Sequence, residues 1–290
     1  MMEAYLLHLC ILICIYVVLA LSLQLSIGFS GLLNLGHIAF YCIGAYTSAL
    51  LAFKGFPYLA CLFFAGIMAA FFGFLISIPT HRLKGDYLAL ATMGFGFVVY
   101  ALALNWKTLT RGPLGLPGIP KPIIFGVKLS NTFFFFVFVL IVALITYLVI
   151  RRITNSPFGK VLEAIRDDEL AARILGKSSF RVKSCALSVS AFFAGLAGSL
   201  YAHYITYIDP SAFTLLELIP VLAIVILGGL GSLEGTIMAA ILLTLLPEPL
   251  RLIGLQSSVV GPIRQLIFGL LLLLILIFYP KGIYGRVELE

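Results

Sequence analysis

The segment RRITNSPFGKVLEAIRDDELAARILGKSSFRVK (151–183) is a long polar stretch between strongly apolar runs. It holds eight of the chain's nineteen Lys and Arg residues, together with the acidic residues Glu163, Asp167, Asp168 and Glu169. In membrane proteins an excess of Lys and Arg marks the loops that face the cytoplasm. We therefore expect this charged segment (151–183) to be cytoplasmic and to be a docking surface for another protein.

The first half of the charged segment has the pattern of a helix. Pro157 suits a first helical turn, and Asn155 or Ser156 is the candidate cap. The apolar residues recur at spacings of four and three and therefore share one helix face. These residues are Phe158, Leu162 and Ile165. The alternative is an ordinary solvated loop with incidental helix.

A second, shorter helix is predicted after a break at 167–169. Carboxylates are favoured near the positive N-terminal end of a helix, so three adjacent acidic residues suit its start. Leu170 and Ile174 define a second, rotated apolar face, and Gly176 ends the pattern. We expect both helices to lie on a membrane surface.

The composition excludes a soluble globular chain. Of 290 residues, 62% are hydrophobic and only 11% are charged, whereas soluble domains contain about 25% charged residues. Spans in lipid must be helices or a closed barrel, because no water satisfies the backbone there. The apolar runs are continuous rather than alternating, which argues against a barrel. We predict an all-α polytopic helical membrane protein, with 1–290 as a single domain.

The apolar runs approach the length of about 20 residues that crosses a bilayer as a helix. They are 4–27, 31–52, 58–78, 87–105, 133–150, 184–204, 215–227, 236–246 and 263–279. The run 236–246 is short and could be tilted or broken, so we predict about eight transmembrane helices, within a range of 8–10. Small residues at every fourth position in 184–204 predict close helix contacts. They form the stripes Ala191, Gly195, Ser199 and Ala194, Gly198, Ala202.

The distribution of basic residues predicts the orientation. With the N-terminus outside and the C-terminus in the cytoplasm, twelve of the nineteen Lys and Arg residues lie on the cytoplasmic side. This bias agrees with the positive-inside rule. The segment 105–131, rich in Pro and Gly, is then an external loop, although it is basic.

Sequence patterns of enzymes are absent. No H-E-x-x-H or clustered Cys/His pattern occurs, and the acidic residues are too scattered for an acid/base pair. The five cysteines lack metal or redox spacing, so we expect no metal and no cofactor. The tripeptide at 176–178 resembles part of a phosphate-binding loop, but position 171 is Ala rather than Gly. The basic residues border membrane spans, which favours contact with lipid and excludes nucleic acid as a partner.

Two glycine-broken segments, 28–36 and 228–235, are the candidates for a translocation path. Discontinuous helices expose backbone groups and helix ends beside a solute path. The alternative is that glycine merely permits tight packing. Ionisable residues within apolar runs, among them His8, Glu217 and Glu234, form no ladder that would couple transport to protons or sodium. The candidate path residues are Asn34, Gly36, His37, Gly228, Gly229 and Gly231.

Six blocks of the sequence resemble, in the same order, the permease subunits of branched-chain amino-acid ABC transporters, and the M-type of the two paired permeases in particular. They are GHIAFYCIGAY (36–46), GDYLALATMGFG (85–96), DDELAARILG (167–176), SAFFAGLAGSLYA (190–202), VILGGLGSLEG (225–235) and FYPKGIYG (278–285). The chain departs from the family pattern after 94–96, where Phe97 and Tyr100 replace a common Glu and Arg. This departure leaves the solute open.

The resemblance implies the membrane permease subunit of an ATP-driven ABC importer, which forms the translocation path for branched-chain or related amino acids delivered by a periplasmic binding protein. The partners are a second permease subunit, two ATPase subunits and a periplasmic solute-binding protein in the bacterial inner membrane. The family's ATPase-docking motif matches Glu169, Ala171, Ala172 and Gly176, and Leu170 and Ile174 would add its apolar contact. The alternative is an ATP-independent channel or secondary transporter for a small polar solute such as urea or an amide.

Overall fold

The computed structural model describes residues 2–83, 85–124, 127–128, 131–246, 263, 266–271, 273–274, 277 and 282–284. Eleven α-helices run through the described residues up to 246. They are α1 (Met2–Gln24), α2 (His37–Phe53), α3 (Tyr58–Thr80), α4 (Asp86–Asn105), α5 (Lys107–Thr110), α6 (Thr132–Thr154), α7 (Pro157–Asp167), α8 (Glu169–Ile174), α9 (Ser179–Ile205), α10 (Leu218–Gly228) and α11 (Leu233–Leu245). A π-helical turn, Leu25–Phe29, extends α1.

Strands are short in the described part of the chain. β1 (Leu116–Pro117) pairs antiparallel with β4 (Tyr207–Ile208), and β2 (Ile123–Ile124) pairs antiparallel with β3 (Val127–Lys128). Three 3₁₀ turns complete the described structure, at Gly112–Leu114, Pro210–Phe213 and Leu215–Glu217. The segment 105–131, predicted to be an external loop, contains the short helix α5, the β2–β3 pair and β1, which pairs with β4 outside this segment.

The prediction of an all-α polytopic membrane protein is confirmed. Among the described residues, five helices are long and apolar enough to cross a membrane, and three shorter apolar helices accompany them. The shorter ones are His37–Phe53, Leu215–Gly228 and Leu233–Leu245. The last predicted run, 263–279, lies partly outside the described residues, so the count of eight stays a prediction.

Helix α9 forms the centre of the bundle and packs against α2 and α3. A β-carbon placed on Gly44 would lie 2.2 Å from the carbonyl oxygen of Gly195, and one on Gly198 would lie 2.1 Å from that of Tyr41. Only glycine permits backbones to approach this closely. The predicted small-residue contacts of 184–204 are therefore confirmed.

Buried hydroxyl groups link the same helices. Ser48 of α2 lies 2.7 Å from the hydroxyl of Ser199 and 2.9 Å from Nε2 of His203, and Ser77 of α3 donates to Ser184 at 2.9 Å. Such hydrogen bonds between helices in lipid contribute about 0.6 kcal/mol each. Helix α9 begins at Ser179, five residues before the apolar run at 184, because hydropathy marks the part of a helix that crosses the membrane and not the end of the helix.

Contacts near the ends of the helices define the two ends of the bundle. At one end, His8 of α1 contacts Tyr204 near the end of α9, and β1 pairs with β4. At the other end, the charged segment contacts the turn after α1, and the backbone N–H of Ile283 donates to the carbonyl of Leu227 at 2.8 Å. The described start of the chain and residues 282–284 therefore lie at opposite ends.

Candidate functional site

Helix α7 follows the predicted pattern of the charged segment. Ser156 is the N-cap, and its hydroxyl accepts a hydrogen bond from the N–H of Gly159 at 3.4 Å. Pro157 occupies the first turn. Leu162 and Ile165 are buried, so the predicted face turns toward the bundle.

Helix α8 is short and is fixed at both ends. The carboxylate of Asp168 accepts from the N–H groups of Leu170 and Ala171 at 2.8 and 3.0 Å. At the other end, Gly176 has φ +76°, its N–H donates to Arg173 and the N–H of Lys177 donates to Ala172. This pair of bonds is the Schellman motif, which favours glycine at the left-handed position. The predicted second helix and its end at Gly176 are confirmed.

The apolar side chains of α8 point into solvent. Leu170 is 66% exposed and Ile174 is 79% exposed, and Leu175 beside them is 78% exposed. Ala171 is also exposed, whereas Ala172 is buried. Exposed apolar groups this close together mark an interaction surface. The sequence pattern identified Leu170 and Ile174 but missed Leu175, which lies just beyond the helix.

Glu169 is directed toward α9 instead of outward. Its carboxylate forms ion pairs with Arg173 and, at 2.8 Å, with Lys183 of α9. Burial raises the pKa of Glu169, but the hydrogen bond and charge of Lys183, with help from Arg173, outweigh it and leave the pKa below its ordinary value. Among the predicted docking residues, Glu169 therefore holds α8 in place. The exposed apolar surface consists of Leu170, Ile174 and Leu175.

The two glycine-broken segments lie against each other. The side-chain amide of Gln24 donates to the carbonyl of Gly229 at 2.9 Å and lies 3.4 Å from that of Ser232. A β-carbon on Gly28 would lie 2.7 Å from the backbone nitrogen of Gly231. Gly229 and Gly231 have φ values of +93° and +81°, which glycine adopts at low cost. The breaks thus form one largely buried unit, which we call the paired break (24–36 and 228–232).

Arg166 connects the charged segment to the paired break. Its guanidinium donates to the carbonyl of Gly28 at 2.6 Å and to Asp167 at 2.9 Å. Its aliphatic stem covers Gly31, where a β-carbon would lie 2.8 Å from Cγ of Arg166. A charge-assisted hydrogen bond of this kind is stronger than a neutral one. The surface helix and the break inside the bundle are therefore joined directly.

The predicted path residues Asn34 and His37 are fully buried and hydrogen-bonded in this conformation. Nε2 of His37 lies 2.8 Å from the hydroxyl of Ser22 in α1, and Nδ1 lies 3.4 Å from the amide of Asn34. They tie α1 to the start of α2. Gly36 packs against α4, where its β-carbon would lie 2.2 Å from the carbonyl oxygen of Thr92. A path role for these residues stays a prediction.

Gly228 packs against α11. A β-carbon on Gly228 would lie 2.6 Å from the carbonyl carbon of Gly235. Ser232 caps α11 by accepting from the N–H of Gly235 at 3.1 Å. The three glycines predicted at the second break are therefore required by its geometry, two by positive φ and one by close approach.

Sequence inspection missed Gln24, Arg166 and Thr92. Gln24 is a polar residue within the apolar run 4–27, and its polarity is the sign that the sequence offers; in the structure its side chain is fully buried. In the sequence, Arg166 is one of the eight basic residues of the charged segment, and no local pattern distinguishes it from the others. In the described part of the chain, no three His, Cys, Asp or Glu side chains are placed to hold a metal ion.

A multi-pass helical bundle with a paired break, joined to a charged segment at one end, has the architecture of a membrane transport protein. The sequence profile described as branched-chain amino acid transport system / permease component matches residues 5–276. The chain belongs to this permease family. The family and relatives are described as transport permeases, which confirms the prediction of a transport subunit rather than an enzyme.

Individual relatives agree with the family assignment. The chain is 41% identical to the high-affinity branched-chain amino acid transport system permease protein LivM of Escherichia coli strain K12, over 93% of this chain and 67% of that protein. It is 25% identical to the high-affinity branched-chain amino acid transport system permease protein BraD of Pseudomonas aeruginosa strain PAO1, over 95% of this chain and 93% of that protein. It is 29% identical to the autoinducer 2 import system permease protein LsrC of Yersinia enterocolitica, over 84% and 66%. No solved structure is significantly similar.

Proposed function

We propose that this chain is the membrane permease subunit of an ATP-driven importer and forms part of the path for branched-chain or related amino acids. The hydrogen bond from Arg166 to the carbonyl of Gly28 carries the proposal. It joins a surface element to a break in the helices, and a transporter driven from one side of the membrane needs such a connection.

The coupling element is α8 with its neighbours. Leu170, Ile174 and Leu175 form an apolar tip that suits a groove on an ATPase subunit. Movement of that tip shifts α7, because α7 and α8 are joined through Asp168, which caps α8. Arg166 on α7 then moves the turn at Gly28, and Gln24 carries the shift to Gly229. The path opens and closes at the paired break.

The partners are a second permease subunit, two ATPase subunits and a solute-binding protein that delivers the solute from outside. The charged segment lies in the cytoplasm of a bacterial cell, and the chain is a multi-pass protein of its inner membrane. The eight basic residues of the charged segment then face the cytoplasm, as the positive-inside rule requires.

Uptake of radiolabelled leucine into proteoliposomes tests the proposal. The complete set of subunits with ATP inside should accumulate leucine, and removal of the ATPase subunits should abolish accumulation. Leucine entry at the same rate without the ATPases would instead support a channel or secondary transporter.

A variant of Arg166 tests the coupling path. Arg166→Gln keeps hydrogen-bonding capacity but shortens the side chain and removes the charge, so we expect at least a tenfold loss of leucine uptake with normal ATPase binding. Arg152→Gln is the matched control, because Arg152 is exposed at the end of α6. Equal uptake by both variants would contradict the role of Arg166.

A further inference from the structure

A cavity of about 140 Å³ lies beside the break that precedes α2. It is bounded by the start of α2, by α4 and by the turn before α10. Gly36, Ala39 and Gly96 form its small-residue wall, and a β-carbon on Gly96 would lie 3.6 Å from Cα of Gly36. Glycine at 96 therefore leaves space that a larger side chain would fill.

Mostly apolar side chains form the other walls of the cavity, and Tyr100 and Thr214 are its polar lining residues. Met93 and Phe97 come from α4, and Phe213 and Leu215 come from the turn before α10. Among the described residues, those that line the cavity include no charged side chain. An apolar cavity of about 150 Å³ stays free of water and binds a group as large as benzene. The space is therefore large enough for a branched aliphatic side chain.

The cavity can be reached from outside the packed core. Phe97 and Leu215 are 52% and 39% exposed, so the mouth lies at the surface of the chain, while Phe213 and Ala39 are buried at its inner side. The wall at Gly36 belongs to the paired break. Thr92 of α4 holds that wall, because its hydroxyl accepts from the N–H of Leu35 at 3.1 Å.

We infer that this cavity binds the aliphatic side chain of the amino-acid solute as the solute passes the break before α2. The inference rests on the proposed function and adds the site that selects the solute. Apolar walls favour a hydrocarbon group, whereas burying the charged ammonium and carboxylate groups in the cavity unpaired is unfavourable. One methylene group in such a pocket changes selectivity by about 10–200-fold.

Two glycines on α4 provide a matched pair of variants. Gly96→Leu fills the cavity, whereas Gly94→Leu adds the same side chain at an exposed position where nothing lies within 4 Å of the β-carbon. In the complete transporter, Gly96→Leu should lower leucine uptake at least tenfold, and Gly94→Leu should leave it unchanged. Both changes replace a helical glycine, so an effect on helix formation alone would appear in both.

Photo-leucine, the diazirine analogue of leucine, locates the site directly. In the assembled wild-type complex it should label the peptide that contains 93–100, and excess leucine should compete with the labelling. Phe97→Ala is a second variant that enlarges the cavity, so it should raise the uptake of phenylalanine relative to leucine several-fold.

The outcomes separate the inference from the proposed function. If the wild-type complex takes up leucine but labelling at 93–100 is absent or is not reduced by leucine, the cavity is not the side-chain site, although the proposed function stands. Normal leucine uptake by the Gly96→Leu variant would likewise show that the cavity is not the side-chain site, while the proposed function stands. If the wild-type complex takes up neither leucine nor any other branched-chain or related amino acid, both the proposed function and this inference are wrong.

Discussion

Arg166 and Gln24 fix the positions of the two breaks through backbone carbonyl groups. Each donates to a glycine carbonyl at a break, Gly28 in one case and Gly229 in the other, where the N–H of Ser232 also donates. Buried carbonyl groups left without donors destabilise a fold, so these side chains help to stabilise the breaks. They are 142 residues apart in the sequence, and no local pattern could have paired them.

At Gly176, the effect of backbone strain on docking can be tested separately from steric clash. Nothing lies within 4 Å of a β-carbon built there, so substitution meets no clash. Its φ of +76° is unfavourable for a β-branched residue, while Asn tolerates it. A left-handed residue other than glycine costs roughly 1–2 kcal/mol.

We therefore expect Gly176→Val to reduce co-purification of the ATPase subunits about tenfold, and Gly176→Asn to leave it close to normal. The measurement is the ratio of ATPase to permease after affinity purification. Identical ratios for both variants would show that the left-handed turn has no part in docking.

Glu169 should make the conformation of α8 depend on pH. Its pKa in the folded protein lies below its ordinary value of 4.5. A group with a lowered folded pKa stabilises the fold above its ordinary pKa, and this contribution is lost as the pH falls through the lowered value. The ion pairs with Lys183 and Arg173 are then broken by protonation.

A spin label at Lys177→Cys measures this effect. Its mobility should be low at neutral pH and should rise below pH 4.5. Glu169→Gln should be mobile already at neutral pH and show no such transition. Glu163→Gln is the control, because among the described residues Glu163 forms no ion pair; a mobile label in this variant at neutral pH would exclude a specific role for Glu169.

At the scale of elements, the sequence predicted the helices of the charged segment with their caps. Those features are local: Ser156, Pro157 and Asp168 act on backbone groups within three residues, and Gly176 follows the helix that it ends. The apolar runs gave the spans because lipid imposes their length. Contacts between distant segments were not predictable, which is why the position of His37 at the α1–α2 junction and the inward direction of Glu169 emerged only from the structure.

The apolar tip of α8 gives the prediction at this scale. Burial of a Leu or Ile side chain contributes roughly 1.5–3 kcal/mol, so Leu170→Ala with Ile174→Ala should weaken ATPase binding by two orders of magnitude or more. The matched control is Leu144→Ala with Leu148→Ala on α6, two exposed residues with the same spacing. Co-purification of the ATPase subunits measures docking in both double variants. Normal recovery of the ATPase with the α8 variant would mean that the ATPase docks elsewhere.

For the whole molecule, the contacts at the two ends constrain the number of crossings. The start of α1 lies at the end that holds β1 and β4, and residues 282–284 lie at the end that holds the charged segment. Between two positions at opposite ends of a bundle, a chain crosses it an odd number of times. Within the predicted range of 8–10, nine crossings therefore fits the positions of His8 and residues 282–284, whereas eight would place them on the same side.

Labelling from the two sides of the membrane tests this topology together with the orientation. Four exposed residues are chosen as labelling positions: Glu3, Ser178, Ser211 and Tyr284. Single cysteines are introduced there after replacement of the native cysteines, of which Cys185 is exposed. Because Lys and Arg favour the cytoplasmic side, an impermeant maleimide added to intact cells should label Glu3→Cys and Ser211→Cys, while Ser178→Cys and Tyr284→Cys should react only after the cells are opened. Labelling of Ser178→Cys and Ser211→Cys from the same side would contradict the bundle itself, whereas exchange of all four results would keep the odd number of crossings and reverse the orientation.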